Sequence, residues 1–383
     1  MKKGEMIVRK IVAIAMLLSL VACPSPKGDS ADSGSSSVDT GSRLEGHSTA
    51  VVVTSDYAVY ALATVDLDDG SVDDEITALT GDASVRYLED DRLYVLNSYG
   101  YDTIQVYDVR KLSSPASEWS VGDGLANPHD VEFCGGELFV SLYGRDYVSI
   151  YDPHSTNLVG TVDLSSFDDG DGVPEASSLV KVAGKEGYLY LALQQLDQNN
   201  GWVANGGAVV EIDCAARAVS NSWDVGSNPK IYAHPTDPSA LLVVTGVYYE
   251  ADGGISVLDV VDGEHSALYV SEADIGVDIG PLAFDDLGNV VAIGSSISDY
   301  GASHTINCFD LESWDWTEAV NTSSFLIGNV ANDRGEAWLL ARTSWSDAGS
   351  VGGIWVYDIA TCSEPSTEAR KTFSLDPYSL AFF

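Results

Sequence analysis

The stretch YGYDTIQVYD, from Tyr99 to Asp108, returns 44 residues later as YGRDYVSIYD, from Tyr143 to Asp152. Both copies contain an aromatic residue and a glycine, then an aspartate, then alternating β-branched residues that end in Tyr-Asp. Such alternation predicts a half-buried β-strand. The repetition indicates either a catalytic signature that is used twice or a repeated structural unit.

Weaker copies of this phrase extend over the rest of the chain and favour the structural unit. Each copy pairs an apolar strand with a second strand that ends in aspartate. These strand ends are Asp66, Asp108, Asp152, Asp213, Asp259, Asp310 and Asp358, which gives seven units spaced by 42 to 61 residues. No stretch after residue 48 sustains the apolar period of a helix, so the fold class is all-β. Repeats of this length with several strands each predict a seven-bladed β-propeller.

A third recurring piece precedes the strand pairs, as in NPHDVEF (Asn127–Phe133) and NPKIYAH (Asn228–His234). The chain ends on the same piece, DPYSLAFF (Asp376–Phe383), with no unit after it, whereas the first unit begins without one. We therefore predict that the C-terminal strand becomes the inner strand of the first blade. This closure would leave no open sheet edge. The repeated phrase is then blade architecture and not a catalytic motif.

The segments LYVLN, TIQVYD and WSVGDGLANPHDVEF, all within Leu93–Phe133, resemble the YVTN-type β-propeller repeat. The resemblance is closest over Leu93–Asp152 and becomes a general pattern over the rest of Ser48–Phe383. It implies a seven-bladed propeller of a kind that is frequently exported or attached to the cell surface. It does not fix an activity, because one fold hosts many unrelated functions.

The first 23 residues predict a bacterial lipoprotein signal peptide. Basic residues precede the apolar run Ile11–Leu20, which is too short to span a bilayer, and small residues lead to Cys23. This end resembles the lipobox, in which the cysteine is lipidated and becomes the new N-terminus. A plain signal peptide with an incidental cysteine is the alternative. Residues 24–47 are rich in Ser, Gly and Asp and predict a disordered tether, which leaves residues 48–383 for the propeller.

The charge of the chain restricts its partners. The net charge is −39, and removing the first 23 residues, which carry a net +3, leaves −42. Such a field repels nucleic acid and anionic lipid, so we expect neither as a partner. We expect a monomer that is held at the cell envelope by its lipid. Pro24 and Ser25, and not an aspartate, follow Cys23. Their identity favours sorting of the lipoprotein to the outer membrane.

Four cysteines follow Cys23, namely Cys134, Cys214, Cys308 and Cys362. In an exported protein an even number permits two disulfides, and three pairings are open. The sequence has no CxxC motif and no Cys/His cluster, so it predicts no zinc site.

The two longest polar loops belong to the fourth unit and cover Leu164–Ser177 and Gln194–Gly207. Because loops that lead into a first strand and loops that join the second strand to the third open on one face of a propeller, we expect these two to be neighbours. The first loop carries four carboxylates among flexible glycines, which is a ligand set that suits Ca²⁺. These candidate metal ligands are Asp168, Asp169, Asp171 and Glu175.

The D-x-D-G core of this loop resembles calcium loops of the EF-hand and thrombospondin kind. It departs from the EF-hand pattern at Phe167 and Ser178, where that pattern has acids. A solvated acidic turn in a very acidic protein is the alternative. The run Asp66–Glu75 is similarly acidic, and we predict a solvated outer hairpin for it.

The second long loop and the inner-strand motif supply the candidate ligand-binding residues. The motif's third position is expected at the mouth of the central channel. The predicted set is His129, Asp130, Gln194, Asp197, Asn199, Asn200, Trp202, Lys230 and Tyr378. Aromatic residues in such loops suggest stacking on sugar rings or peptide side chains, although many fill space between blades.

No catalytic motif stands out: the chain lacks G-x-S-x-G, HExxH and phosphate-loop sequences, and its histidines occupy no repeated position. The sequence therefore favours a binding or scaffold module that takes a protein, peptide or glycan ligand. The first alternative is a metal-assisted hydrolase or lyase at the channel mouth, with His129 or Lys230 as acid or base. The second is a purely structural repeat body.

Overall fold

The computed structural model describes residues 47–88, 91–297, 303–321, 325–343, 352–364 and 370–383. Cys23, the predicted signal peptide and all of the predicted tether except its last residue lie outside these ranges. Within them strands predominate, and no helix has both the length and the apolar character needed to cross a membrane.

Thirty strands form in the described residues, together with one short helix, α1 (Glu272–Ile275), and two 3₁₀ turns, Ser165–Phe167 and Gln198–Asn200. In chain order the strands are β1 (Thr49–Ser55), β2 (Tyr60–Asp66), β3 (Val72–Leu79), β4 (Ala83–Leu88), β5 (Arg92–Asn97), β6 (Thr103–Asp108), β7 (Ser117–Ser120), β8 (Pro128–Cys134), β9 (Glu137–Leu142), β10 (Tyr147–Tyr151), β11 (Leu158–Asp163), β12 (Ala176–Val180), β13 (Tyr188–Leu193), β14 (Leu196–Asp197), β15 (Val203–Ala204), β16 (Ala208–Asp213), β17 (Ala218–Asp224), β18 (Lys230–Ala233), β19 (Ala240–Thr245), β20 (Gly254–Asp259), β21 (Glu264–His265), β22 (Val270–Ser271), β23 (Val277–Phe284), β24 (Asn289–Ser296), β25 (His304–Asp310), β26 (Thr317–Asn321), β27 (Phe325–Asp333), β28 (Glu336–Thr343), β29 (Gly353–Asp358) and β30 (Asp376–Phe382).

These strands form the predicted seven-bladed propeller. The first three blades have the strand orders β30-β1-β2-β3, β4-β5-β6-β7 and β8-β9-β10-β11, and the fourth has β12-β13-β16-β17. The fifth is β18-β19-β20-β21 with β22 also on β20, the sixth is β23-β24-β25-β26, and the described part of the seventh is β27-β28-β29. Neighbouring first strands contact one another around most of the ring, and between the fifth and sixth blades β19 contacts β23.

The ring closes as predicted, because β30 pairs with β1 and becomes the first strand of blade 1. The antiparallel register runs from Ala50 opposite Phe382 to Ser55 opposite Asp376, with a bulge next to Val53. Blade 1 therefore joins the two ends of the described propeller in one sheet. Both edges that an open array would expose become paired.

The core lies between the blades and explains why the second strands are predominantly apolar. In β13 the side chains of Leu189 and Leu191 pack with blade 3, whereas those of Tyr190 and Ala192 pack with blade 5. Because successive side chains of a strand point to opposite faces, a strand with a blade on each side buries nearly all of its residues. Each fully buried leucine contributes about 1.5–3 kcal/mol of hydrophobic stabilisation.

The aspartate at the end of each third strand, or directly after it in blade 3, is a turn residue, which answers the question raised by the repeated phrase. In every blade its carboxylate accepts a hydrogen bond from a backbone N–H two or three residues further on, as Asp152 does from His154 (2.9 Å) and Ser155 (2.8 Å). Such bonds satisfy the N–H groups that a tight turn leaves unpaired. The seven residues are Asp66, Asp108, Asp152, Asp213, Asp259, Asp310 and Asp358.

Two disulfides resolve the pairing that the sequence left open. Cys134, at the end of β8, is bonded to Cys214 after β16, and Cys308 in β25 is bonded to Cys362 after β29. The first joins blades 3 and 4, and the second joins blades 6 and 7. Both therefore tie neighbouring blades together.

Candidate functional site

The loops that lead into the first strands and those that join second to third strands define what we call the loop-rich face. As predicted, the two long loops of blade 4 are neighbours there. Gln195 Nε2 donates to the carbonyl of Phe167 (3.0 Å), and the N–H of Gln198 donates to Asp171 Oδ2 (2.7 Å). Asn205 Nδ2 lies 3.4 Å from Asp169 Oδ2. Side chains of each loop thus satisfy polar groups of the other.

Three of the four predicted calcium ligands lie together at this junction. Carboxylate oxygens of Asp168, Asp169 and Asp171 lie within 4.8 Å of one another. Asp168 Oδ1 accepts the N–H groups of Gly170 (2.9 Å) and Gly172 (2.8 Å), which lowers the pKa of Asp168. Asp169 Oδ1 is buried without a hydrogen-bond partner, and burial, with the nearby Asp171 charge, raises the pKa of Asp169. Negative charge is concentrated here, and a bound cation would neutralise it.

Glu175, the fourth predicted ligand, has contacts of a different kind. Its side chain is fully buried, and its two oxygens accept from the N–H of Leu196 (3.0 Å) and from Gln198 Nε2 (2.9 Å). Burial raises the pKa of Glu175 to about 8, while the hydrogen bond from Gln198 opposes that rise. Glu175 therefore fastens one long loop to the other.

An aromatic row crosses from blade 3 to blade 4 beside these loops. The ring of His129 stacks on Tyr143 with centroids 5.3 Å apart, and Tyr143 lies 6.4 Å from Trp202. The hydroxyl of Tyr143 donates to Oε1 of Gln194 (2.8 Å), whose side chain is buried. The row thus brings three predicted ligand-binding residues together, with Tyr143 as the link and Trp202 39% exposed.

The remaining predicted residues of the long loop form a polar turn beside Trp202. Asp197 accepts the N–H of Asn200 (3.0 Å) and caps the 3₁₀ turn Gln198–Asn200. The side chains of Asn199 and Asn200 are exposed. These two asparagines and the exposed Trp202 belong to the same loop.

β-Bulges explain why His129 and Tyr378 differ from their neighbours. The pairing of β8 with β9 shifts between Pro128 and Asp130, and that of β30 with β1 shifts between Pro377 and Ser379. His129 and Tyr378 are the extra residues at these bulges, and bulges redirect side chains. Tyr378 accordingly packs against other rings of the mouth, with Tyr57 6.3 Å and Tyr60 6.1 Å away.

A cation lies against this second group of rings. The guanidinium of Arg342 is 5.8 Å from the ring of Tyr57 and 5.5 Å from that of Tyr378, and it also hydrogen-bonds the Tyr57 hydroxyl. Arg342 is only 7% exposed. The tyrosines at the blade 7–blade 1 junction therefore hold a cation that belongs to the chain itself.

Lys230 begins β18 and is buried on the loop-rich face. Its ammonium is 5.6 Å from the ring centroid of Tyr248. Burial raises the pKa of Asp278, and the positive charge of Lys230 opposes that rise. Lys230 therefore belongs to a charged and aromatic group between blades 5 and 6.

Asp130 lies in a buried network among the first strands, away from the aromatic row. Its Oδ1 is 2.9 Å from Nε of Arg86, and its Oδ2 accepts the N–H of Leu179 (2.8 Å). Glu132 continues the network to Lys181, with 3.2 Å between charged atoms. Burial raises the pKa of both carboxyls, and the cations oppose it. This network joins the first strands of blades 2, 3 and 4.

Five carboxylates that the sequence analysis did not single out as a group fasten the loops of this face. Each accepts a backbone N–H and so ties the start of a first strand, or the loop before it, to a second-to-third-strand loop. We call them the carboxylate locks, and with their partners they are Asp102–Asn127, Glu175–Leu196, Glu272–Gly253, Asp278–Tyr249 and Asp376–Thr343. Their signal in the sequence is an acid next to a strand start, which gives no indication of the partner.

A cavity of about 140 Å³ lies on the opposite face, between blades 4 and 5. It is lined by small and apolar residues around His234, whose Nδ1 accepts the N–H of Asp237 (3.1 Å). Burial lowers the pKa of His234. The cavity is too small for a drug-sized ligand.

Comparison with known proteins identifies the fold and no family. No protein-family model matches the chain, and no curated protein matches its sequence. Hydrazine synthase of Kuenenia stuttgartiensis superimposes with a TM-score of 0.56 at 14% identity, over 81% of this chain and 95% of that one. Dihydro-heme d1 dehydrogenase NirN in complex with DHE gives 0.53 at 15% identity, over 89% and 76%. The Pan2 WD40 domain of Neurospora crassa gives 0.51 at 11% identity, over 73% and 76%. At these identities the likeness shows the propeller fold alone.

Proposed function

We propose that the protein is a binding module of the bacterial cell envelope and that the loop-rich face is its binding surface. The observation that carries this proposal is the row of His129, Tyr143 and Trp202 beside the interlocked loops of blade 4. A partly exposed indole beside Tyr143, whose hydroxyl is fixed by a buried hydrogen bond to Gln194, is a pre-formed contact surface for a ligand. The closed ring and the two disulfides provide the rigid support that such a surface needs.

The test is a binding screen of the full-length protein against immobilised glycans and peptides. Trp202→Ala should weaken the binding of each hit. Trp223→Ala is the matched control, because Trp223 lies in β17 at the outer edge of blade 4. The proposal fails when no ligand binds, or when both variants weaken binding equally.

We also propose that Cys23 carries a lipid and that residues 24–47 act as a tether to the membrane surface. The lipobox-like end of the apolar run and the polar composition of residues 24–47 support this proposal. Metabolic labelling with a palmitate analogue should mark the wild-type protein but not Cys23→Ser. Fractionation of cells with an outer membrane should then place the labelled protein there.

A calcium ion would be held by Asp168, Asp169 and Asp171. The fit is supported by the spacing of their carboxylates and by the buried, unpartnered Asp169 Oδ1. The ion would remove the repulsion within the loop that contacts Gln198. Titration calorimetry of the full-length protein should show Ca²⁺ binding that Asp169→Asn/Asp171→Asn removes. Asp68→Asn/Asp69→Asn, in another DDG turn, is the control that should leave binding intact.

The alternative function is a metal-assisted hydrolase or lyase in which His129 or Lys230 acts as acid or base. It predicts turnover of lactones, phosphoesters or uronic-acid polymers that His129→Ala abolishes. In the described structure His129 stacks on Tyr143, and this contact gives its ring a packing role. Ligand binding that Trp202→Ala weakens, with no turnover of these substrates, would support the binding module and contradict the enzyme.

A further inference from the structure

Exposed aromatic rings concentrate in equivalent loops of the loop-rich face. Among the described residues six tyrosines and tryptophans are strongly exposed, and five of them lie in loops that join a second to a third strand. We call these five the aromatic arc: Tyr57 (38% exposed) in blade 1, Tyr99 (55%) and Tyr101 (50%) in blade 2, Trp202 (39%) in blade 4 and Tyr249 (39%) in blade 5. Tyr143 lies in the corresponding loop of blade 3 but is mostly buried.

Four of these rings sit on strained backbone. Tyr57, Tyr99, Trp202 and Tyr249 have positive φ angles of 69°, 46°, 66° and 63°. This region is unfavourable for residues with a side chain, and strain of this kind clusters at binding sites. The same unusual backbone conformation therefore recurs at partly exposed rings in loops of four different blades.

We propose that the aromatic arc binds a linear chain of uncharged sugar residues, with different rings stacking on different sugars. This inference rests on the proposed binding function and specifies its ligand. An extended chain fits because the rings belong to loops of several blades. A small ligand would need a cavity that encloses most of its surface. The 140 Å³ cavity described above lies on the opposite face, away from the arc.

The charges around the arc disfavour an anionic chain. Exposed acids, including Asp56 and Glu250, lie in the same loops as the rings. The cations beside these loops are already engaged: Arg342 is buried against tyrosines, Lys230 is buried against Tyr248, and Arg145 donates to the backbone carbonyls of Gly124 and Gly144. A polyuronate or a phosphate polymer would therefore meet net repulsion.

The acids themselves serve the loops rather than a cationic ligand. Asp56 Oδ1 accepts the N–H groups of Ala58 (2.9 Å) and Val59 (2.8 Å). Asp252 Oδ1 accepts the N–H of Val247 (2.8 Å). The exposed amides of Asn199 and Asn200 beside Trp202 both donate and accept, as sugar hydroxyls require. An indole with exposed amides in the same turn matches an uncharged pyranose chain better than a basic peptide.

The test measures the binding of the full-length protein to neutral oligosaccharides of two to eight residues by titration calorimetry. Neutral polysaccharides in native affinity gels provide a second readout. Affinity should rise at least about tenfold from the disaccharide to the hexasaccharide. Tyr99→Ala and Trp202→Ala should each weaken hexasaccharide binding about threefold to tenfold. Tyr99→Phe, which keeps the ring, should bind the hexasaccharide as the wild type does. Tyr269→Ala is the control, since Tyr269 is 51% exposed but lies between β21 and β22.

The outcomes separate this inference from the function it rests on. Binding of polygalacturonate, polylysine or a selected peptide in place of neutral glycans, with the same sensitivity to Trp202→Ala, overturns the sugar assignment and leaves the binding function standing. A disaccharide that binds as tightly as a hexasaccharide overturns the extended arc. When no glycan or peptide binds, both proposals fail.

Discussion

Replacement of Glu272 by glutamine should change how the stability of the protein depends on pH. Glu272 is fully buried in α1, and its oxygens accept the N–H groups of Gly253 (2.9 Å) and Ile279 (2.8 Å). Burial raises the pKa of Glu272 to about 7, with Asp278 and Asp252 adding to the rise and the two backbone bonds opposing it.

The direction follows from the order of the two pKa values. Below pH 4.5 both the folded and the unfolded chain hold this proton, and the contribution to stability is complete. As the pH rises, the unfolded chain releases the proton first, so stability falls until the folded carboxyl titrates near pH 7. A pKa moved from 4.5 to about 7 removes about 2.5 kcal/mol between pH 5 and pH 9. Glu272→Gln cannot titrate and escapes this loss.

Urea unfolding at pH 5 and pH 9, in the presence of a chelator, measures the effect. The free energy of unfolding of Glu272→Gln minus that of wild type should increase by about 2.5 kcal/mol from pH 5 to pH 9. A constant penalty from the amide's mismatch with one backbone N–H cancels in this comparison. Glu264→Gln, at an exposed strand position, controls for the change in net charge. Parallel curves for wild type and Glu272→Gln would refute the reasoning.

Three further predictions concern the framework. Cys134→Ser/Cys214→Ser should lower the free energy of unfolding in urea by about 4 kcal/mol, because the disulfide closes a loop of 80 residues; a loss below about 1 kcal/mol contradicts this account. Deletion of residues 376–383 should abolish cooperative thermal unfolding, because β1 loses β30, keeps only β2 as a partner and becomes an open edge; a sharp transition in the shortened chain argues against strand closure as a requirement. Arg86→Met should cost about 3–5 kcal/mol by leaving a buried acid unpaired. Adding Asp130→Asn should recover part of that loss, and equal loss in both variants argues against an ion pair.

The ring and its closure could be predicted because they depend on local patterns. The alternation of strand residues, the aspartate at each third-strand end and the unmatched C-terminal piece are all readable along the chain. The adjacency of the two blade 4 loops then followed from the order of strands in any propeller. The position of Asp130 did not follow, because a bulge at His129 shifts the register by one residue and sends neighbouring side chains to different surroundings.

Contacts between loops of different blades could not be predicted from the sequence. The disulfide pairing depends on which blade ends meet in space, and Cys134 and Cys214 are 80 residues apart. Glu175 looked like a fourth metal ligand because only its spacing from Asp171 was visible. Its hydrogen-bond partners, Leu196 and Gln198, belong to the second long loop, so Glu175 joins the two loops of blade 4.

The acidic composition acquires a structural explanation from these contacts. Seven aspartates close the turns after the third strands and five carboxylate locks fasten the loop-rich face, and these twelve of the 58 acidic residues all accept backbone N–H groups, as do others such as Asp56 and Asp168. Part of the acidic composition therefore reflects how the turns and loops of the propeller are built. The locks hold the loops that carry the aromatic arc, and Asp278 bonds the N–H of Tyr249 itself. Loss of a lock should disturb the arc before it disturbs the core, because the lock joins loops and the core lies between blades.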